Sequence, residues 1–255
     1  MLERVFPLIE QYHGLRLDAD LSALTPRQIA VVESPRRLRR EQSYGFVHAL
    51  WWTWLPDDRS VISVPPGAGP AVQAIVRGVT AMEQLTDPAL AQALRAALEP
   101  ALEGTGLLPS NRTSHDLFFA CDGVALRQHD HGICHRLRDT ATPPAEGLRL
   151  PTHCFPHGLV YGILAEDQVV SVAYAHRTGI MEEQVADLGV ETAPGYRRRG
   201  YAQTVVSAVV AEIARHGGVA YYGCSLDNYA SAATARSVGF VPYGRNLVLS
   251  SLQEG

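Results

Sequence analysis

Lysine is absent from this chain of 255 residues, so all 22 basic residues are arginine. Without a lysine amine the chain can form no Schiff base with a carbonyl substrate. It also lacks the phosphate-binding lysine of Walker-type nucleotide hydrolases. Charge of either sign is sparse: 19% of residues are charged, the net charge is -4 and the pI is near 6.2. A general nucleic-acid or membrane-surface binder needs a broad basic face, and this composition argues against one. Cysteine is scarce too. Cys121, Cys134, Cys154 and Cys224 are widely spaced and form no CxxC pair, and the expectation is a reduced, cytoplasmic protein. No apolar run is long enough to span a bilayer, and Glu3, Arg4 and Glu10 interrupt the first residues, MLERVFPLIEQ. The expectation is neither a signal peptide nor a membrane span.

What is present is a globular composition, 46% apolar, enough for one large core or two small ones. Residues 2–12 read as a short amphipathic helix, with strands at Ile29–Val32, Tyr44–Leu55 and Ser60–Val64. After PPGAGP (65–70), helical patterns run from Ala71 to Met82 and from Pro88 to Glu103. Gly104–Ser114 has linker character, which sets the expected boundary between domains 1–110 and 115–255. Beyond it, strands are expected at Asp116–Cys121 and Ile133–Arg138, and a hairpin turning at Glu166–Asp167 joins Leu159–Ala165 to Val169–Ala175. A strand at Val185–Thr192, a helix at Tyr201–His216, a strand at Ala220–Ser225, a helix at Tyr229–Val238 and a strand at Arg245–Ser250 complete the reading.

The turn between 192 and 201 carries the chemistry. It reads PGYRRRGYA (194–202) and runs straight into a helix with apolar positions at Val205, Val206, Val209, Val210 and Ile213. Free amides at a helix start, backed by the positive end of the helix dipole, form an anion site. Gly200 allows close backbone approach, Ala202 keeps the next contact small, and three arginines supply fork-shaped donors. The plainer reading is an ordinary strand-to-helix turn with a solvated basic run.

Arg197-x-x-Gly200-x-Ala202 resembles the (Q/R)xxGx(G/A) pyrophosphate loop of GNAT acyltransferases. DLGVET (187–192) stands where that family has its fourth strand. Asp227-Asn228-Tyr229-Ala230-Ser231, followed by Ser237-Val238-Gly239-Phe240, is similar to its closing segment. The likeness covers roughly 115–250. Within the superfamily, the loop is most similar to the branch that includes zwittermicin-resistance-like acetyltransferases.

The resemblance implies an α/β (α+β) protein: a C-terminal GNAT fold with a mixed, mostly antiparallel sheet flanked by helices, behind a smaller α/β N-terminal domain. Acetyl-CoA is the implied cosubstrate, and the implied activity is N-acetyl transfer to a primary amine of a small molecule. In such proteins the fourth and fifth strands splay around the pantetheine arm. Backbone groups of Val190, Glu191 and Thr192 would hold that arm. Amides from Arg198 through Arg199, Gly200, Tyr201 and Ala202 to Gln203, with Arg197, would hold the pyrophosphate, and Asn228 and Ser231 would face the coenzyme from the other side. A backbone amide near Val190 is the implied carbonyl polariser. Glu191 and Asp187 are the candidate bases, and a strand bulge would leave only one of them facing the cleft. The family's usual tyrosine acid is replaced by Ala235, with Tyr229 and Tyr243 nearby in sequence. That substitution leaves a rival open, an acyl-CoA-binding sensor or regulatory module without turnover.

Other features carry less. His129-Asp130-His131 with Cys134-His135 matches no standard zinc spacing, and no metal is expected. SVISVPPGAGPA (60–71) mimics a phosphate loop but lacks a lysine and a following Ser or Thr. SPRRLRR (34–40) reads as a solvated face. Trp52 and Trp54 read as core, with an acceptor pocket or dimer surface as the other options. The segment 133–159 is short and rich in proline, so residues 1–110 are expected to wall the acceptor site. Neither nucleic acid nor membrane is an expected partner, and a homodimer is compatible with the sequence.

Overall fold

A computed structural model describes residues 2–40, 46–155, 158–176 and 178–253. Two compact units emerge: Glu10–Phe118 with Tyr243–Gly255, and Met1–Ile9 with Phe119–Pro242. The sequence reading drew its division near residue 110.

In the unit built on Glu10–Phe118, helix α1 (Leu2–Leu17) leads into strands β1 (Ile29–Glu33), β2 (Val47–Trp54) and β3 (Ser60–Val64). Helices α2 (Gly69–Val76) and α3 (Pro88–Leu102) follow, then β4 (Leu107–Cys121); β10 (Val241–Gln253) returns from the far end of the chain. The strand order is β1-β3-β2-β10-β4. The core is the apolar face of the two helices, with Val72, Val76, Leu94 and Leu98, against Leu50, Trp52, Trp54, Ile62 and Leu247.

Several expectations are corrected here. The 2–12 helix continues to Leu17. The helix expected over 71–82 ends at Val76, and Gly78 follows, a residue that weakens a helix interior. The expected linker starts strand β4 at Leu107, because strand pairing overrides the turn-prone Pro109 and Asn111. The start of α2 is capped by an acid: Gly69 N–H donates to the Glu33 carboxylate at 2.9 Å. Arg37, expected in a solvated run, is fully buried. Its guanidinium donates to the carbonyls of Arg16 (2.7 Å) and His48 (3.3 Å), and both arginines lie over the Trp51 ring. Trp52 and Trp54 are core, stacked at 6.1 Å. Tyr44, expected in β2, lies outside the described residues.

The second unit carries β5 (Cys134–Arg136), β6 (Val160–Ala165), β7 (Gln168–His176), β8 (Val185–Thr192), α4 (Tyr201–Arg215), β9 (Val219–Ser225) and α5 (Tyr229–Val238). Its strand order is β9-β8-β7-β6-β5. The pairs β5·β6, β6·β7 and β7·β8 are antiparallel and β8·β9 is parallel, giving a mixed, mostly antiparallel sheet. Glu166 and Asp167 both take positive φ, as a two-residue hairpin with the sheet's own twist requires. Helix α4 packs on this sheet through Val205, Val206, Val209, Val210 and Ile213, all buried. Among the described residues no disulfide joins any of the four cysteines. Among the described residues no helix is long and apolar enough to cross a membrane.

Candidate active site

Strands β8 and β9 set the geometry. They pair in parallel only from Val185↔Val219 to Leu188↔Tyr222, yet β8 runs on to Thr192 and β9 to Ser225. Above Leu188 the two strands part. The opening is a cleft of about 610 Å³, with Val190, Glu191 and Thr192 on one side and Tyr222, Asn228 and Ser231 on the other.

The turn from β8 into α4 closes one end of this cleft. Pro194–Tyr196 forms a single 3₁₀ turn. Arg198 and Gly200 then take positive φ (61° and 79°), and Gly200 is the N-cap of α4. The first helical bond runs from Thr204 N–H to the Gly200 carbonyl. The amides of Tyr201, Ala202 and Gln203 therefore precede it and are left to a ligand or to water. Arg197, Arg198, Gly200, Tyr201, Ala202 and Gln203 all line the cleft. Arg197 Nε is tied to the Thr192 carbonyl at 3.1 Å, and Gln203 donates to Ser237 Oγ at 3.0 Å. Arg199 does not join the lining; it donates to the Gly195 carbonyl and lies over the Tyr196 ring.

Gly200 is explained by a protein neighbour. A Cβ added there would meet the His131 ring at 2.3 Å. His131 and His129 sit on the opening turns of α4, their amides donating to Thr204 Oγ1 and Ser207 Oγ. That is the placement of the histidine-rich segment that the sequence brought forward as a metal reading.

Across the cleft, Asn228 caps α5 by accepting from Ser231 N–H at 3.1 Å. The Ser231 hydroxyl lies 2.7 Å from that of Tyr222. Burial pushes the Tyr222 phenol up to about 12, so at neutral pH it holds its proton. Sequence reasoning missed Tyr222, since a tyrosine inside an apolar strand reads as core. Tyr229 is 79% exposed, Ala235 is buried, and Tyr243 belongs to the other unit.

The two candidate bases part company. Glu191 lines the cleft, whereas Asp187 is buried and does not. The expected bulge is not in the β7·β8 ladder, where register runs unbroken from His176↔Asp187 to Ser171↔Thr192. Alternation therefore keeps Asp187, Gly189 and Glu191 on one face. Tyr174, the partner of Gly189, takes up the room between them; a Cβ on Gly189 would meet its ring at 2.4 Å. The Tyr174 phenol is raised to about 12, by burial first and then by the negative charges of Cys154, Glu191 and Asp187.

Residues 149–245 match the family model described as GNAT acetyltransferase. No curated protein sequence matches the chain. A Drosophila protein of known structure is 16% identical, over 77% of this chain and 72% of that one, with a TM-score of 0.50; this likeness is one of fold. A GNAT-family protein from Novosphingobium aromaticivorans is 22% identical over 59% of this chain and 69% of that one, with a TM-score of 0.49. A Salmonella typhimurium protein solved with acetyl-CoA is 19% identical over 38% of this chain and 65% of that one, with a TM-score of 0.31.

Proposed function

From a chain whose residues 149–245 match the GNAT acetyltransferase family model, we propose an N-acetyltransferase that moves the acetyl group of acetyl-CoA to a primary amine of a small molecule. The observation that carries the reading is the parting of β8 and β9 above Leu188 and Tyr222, which opens a cleft ending at the α4 amides. The fit to the coenzyme is chemical. An extended arm can pair with the strand edge at Val190–Thr192 while phosphates meet the helix start, Arg197 and Arg198. Coenzyme A supplies the activated acyl group as a thioester.

The protein's own contribution is positioning, proton removal and polarisation. Glu191, on the cleft wall, is the proposed base for the attacking amine, directly or through water, and a β8 backbone amide near Val190 is the proposed carbonyl polariser. Tyr222 lines the cleft beside Ser231 and stays protonated, so the two hydroxyls can donate to a leaving thiolate. The placement near zwittermicin-resistance-like enzymes and a cytoplasmic setting are part of the proposal. The first rests on the loop residues and the second on four widely spaced cysteines with no CxxC pair.

A second reading is favoured by Ala235: a module that binds acyl-CoA without turnover. Calorimetry with acetyl-CoA, followed by thiol release with a panel of small amines, separates the two. We expect binding and amine-dependent release. Binding without release for any amine would favour the sensor, and no binding would overturn both.

A further inference from the structure

We propose that His153, Cys154 and His176 form a site for a zinc-type divalent ion, separate from the coenzyme cleft. His153 and Cys154 come from the 3₁₀ turn Thr152–Cys154, and His176 is the last residue of β7. The three ligand atoms lie within 4.8 Å of one another, and among the described residues no other group of three His, Cys or carboxylate side chains meets that measure. His153 Nε2 and His176 Nδ1 are 3.4 Å apart. Two nitrogens bound at about 2.0–2.1 Å to one tetrahedral zinc stand about 3.3–3.4 Å apart, so this edge already has the length a shared ion needs.

The donor set selects the metal. Two imidazoles and a thiolate suit a borderline-soft ion such as Zn²⁺ rather than Mg²⁺ or Ca²⁺, which take oxygen. On binding, the Cys154 thiol gives its proton to solvent and its sulfur lone pair to the metal. Tyr174 orients both rings: it meets His153 edge-on at 6.3 Å and His176 at 4.9 Å. His176 also borders a cavity of about 600 Å³ that contains Glu182 and Glu183. That cavity gives an ion an acidic approach and leaves room for a fourth ligand, a water or a carboxylate. Three protein ligands with one open position is the pattern of zinc sites whose fourth position takes water or substrate.

The bland alternative is an aromatic cluster in which the histidines simply pack on Tyr174. The untagged full-length chain, dialysed against Zn²⁺ and analysed for metal, separates the two. We expect one ion per chain, and with Co²⁺ both tetrahedral d–d bands and a thiolate-to-cobalt charge-transfer band. His153→Ala removes an exposed ring and leaves the packing nearly intact; it should weaken Zn²⁺ about tenfold or more, as loss of a ligand does at least as strongly as loss of its supports. Cys154→Ser should abolish the charge-transfer band. His129→Ala, in the other histidine pair, should change neither. Far-UV circular dichroism checks each fold, and if Cys154→Ser does not fold then His153→Ala decides. Less than one ion per chain, or an affinity unmoved by His153→Ala, overturns the site.

Discussion

A carboxylate earns a role in proton transfer by facing the reacting atoms, and this criterion separates Glu191 from Asp187. Sequence brought both forward, four residues apart on one strand, and favoured Glu191 slightly as the one nearer Val190. The unbroken β7·β8 register keeps them on one face, but Tyr174 lies over Gly189 between them and only Glu191 reaches the cleft. Glu191→Gln should therefore lower turnover about a hundredfold or more, the size of a general-base loss, with acetyl-CoA affinity nearly unchanged by calorimetry. Asp187→Asn should change stability more than chemistry, because its side chain is buried away from the cleft. Full activity in both variants would leave positioning as the main source of catalysis. Tyr174 and Tyr222 were not legible beforehand. Each sits in an apolar strand, and only its partner, Gly189 across the sheet or Ser231 on α5, reveals what the ring or hydroxyl does.

At the scale of the element, the sequence was most legible where local chemistry and periodicity agree. Strand β8, helix α4 and helix α5 lie within a residue of expectation, since glycine ends, an asparagine cap and an apolar stripe all point the same way. Strand β4 was expected only from Asp116 on; its first part was missed because Gly104, Gly106 and Pro109 read as a linker, while strand neighbours distant in sequence decide the outcome. The grouping of His153, Cys154 and His176 was invisible for a related reason: the β6·β7 hairpin brings residue 176 back to residues 153 and 154, and no spacing rule encodes that. The Gly200 turn offers a test of how much of a loop is intrinsic. Alanine there must hold φ near 79° and also push a Cβ into His131. Gly200→Ala should thus cost about 1–3 kcal/mol of stability, since positive φ alone costs a residue with a Cβ about 1–2 kcal/mol. In a double-mutant cycle read by urea midpoints, His131→Ala should recover the steric part and leave the φ part. Strict additivity would mean that the His131 ring moves aside freely.

For the molecule as a whole, the buried titratable groups set how stability follows pH. His13 is fully buried and held neutral, its pKa lowered to about 3 by burial first and by the Arg16 charge second. A free histidine titrates near 6.5. Between those two values the unfolded chain carries a proton that the folded chain refuses, so stability falls as pH drops. Its slope is about 1.4 kcal/mol per pH unit, and the contribution is fully present above about pH 6.5. Asp116 works in the opposite sense, because burial raises its folded pKa and the folded chain then holds the proton longer; this offsets part of the loss at the acid end. His13→Leu keeps an apolar side chain against Phe118 and removes the titration. Urea midpoints at about pH 7.5 and about pH 5 should then show a steep acid loss in the parent chain and a shallower one in the variant. Equal slopes would show that the acid sensitivity comes from other groups. The expected result would make one histidine in α1 a main source of the acid sensitivity.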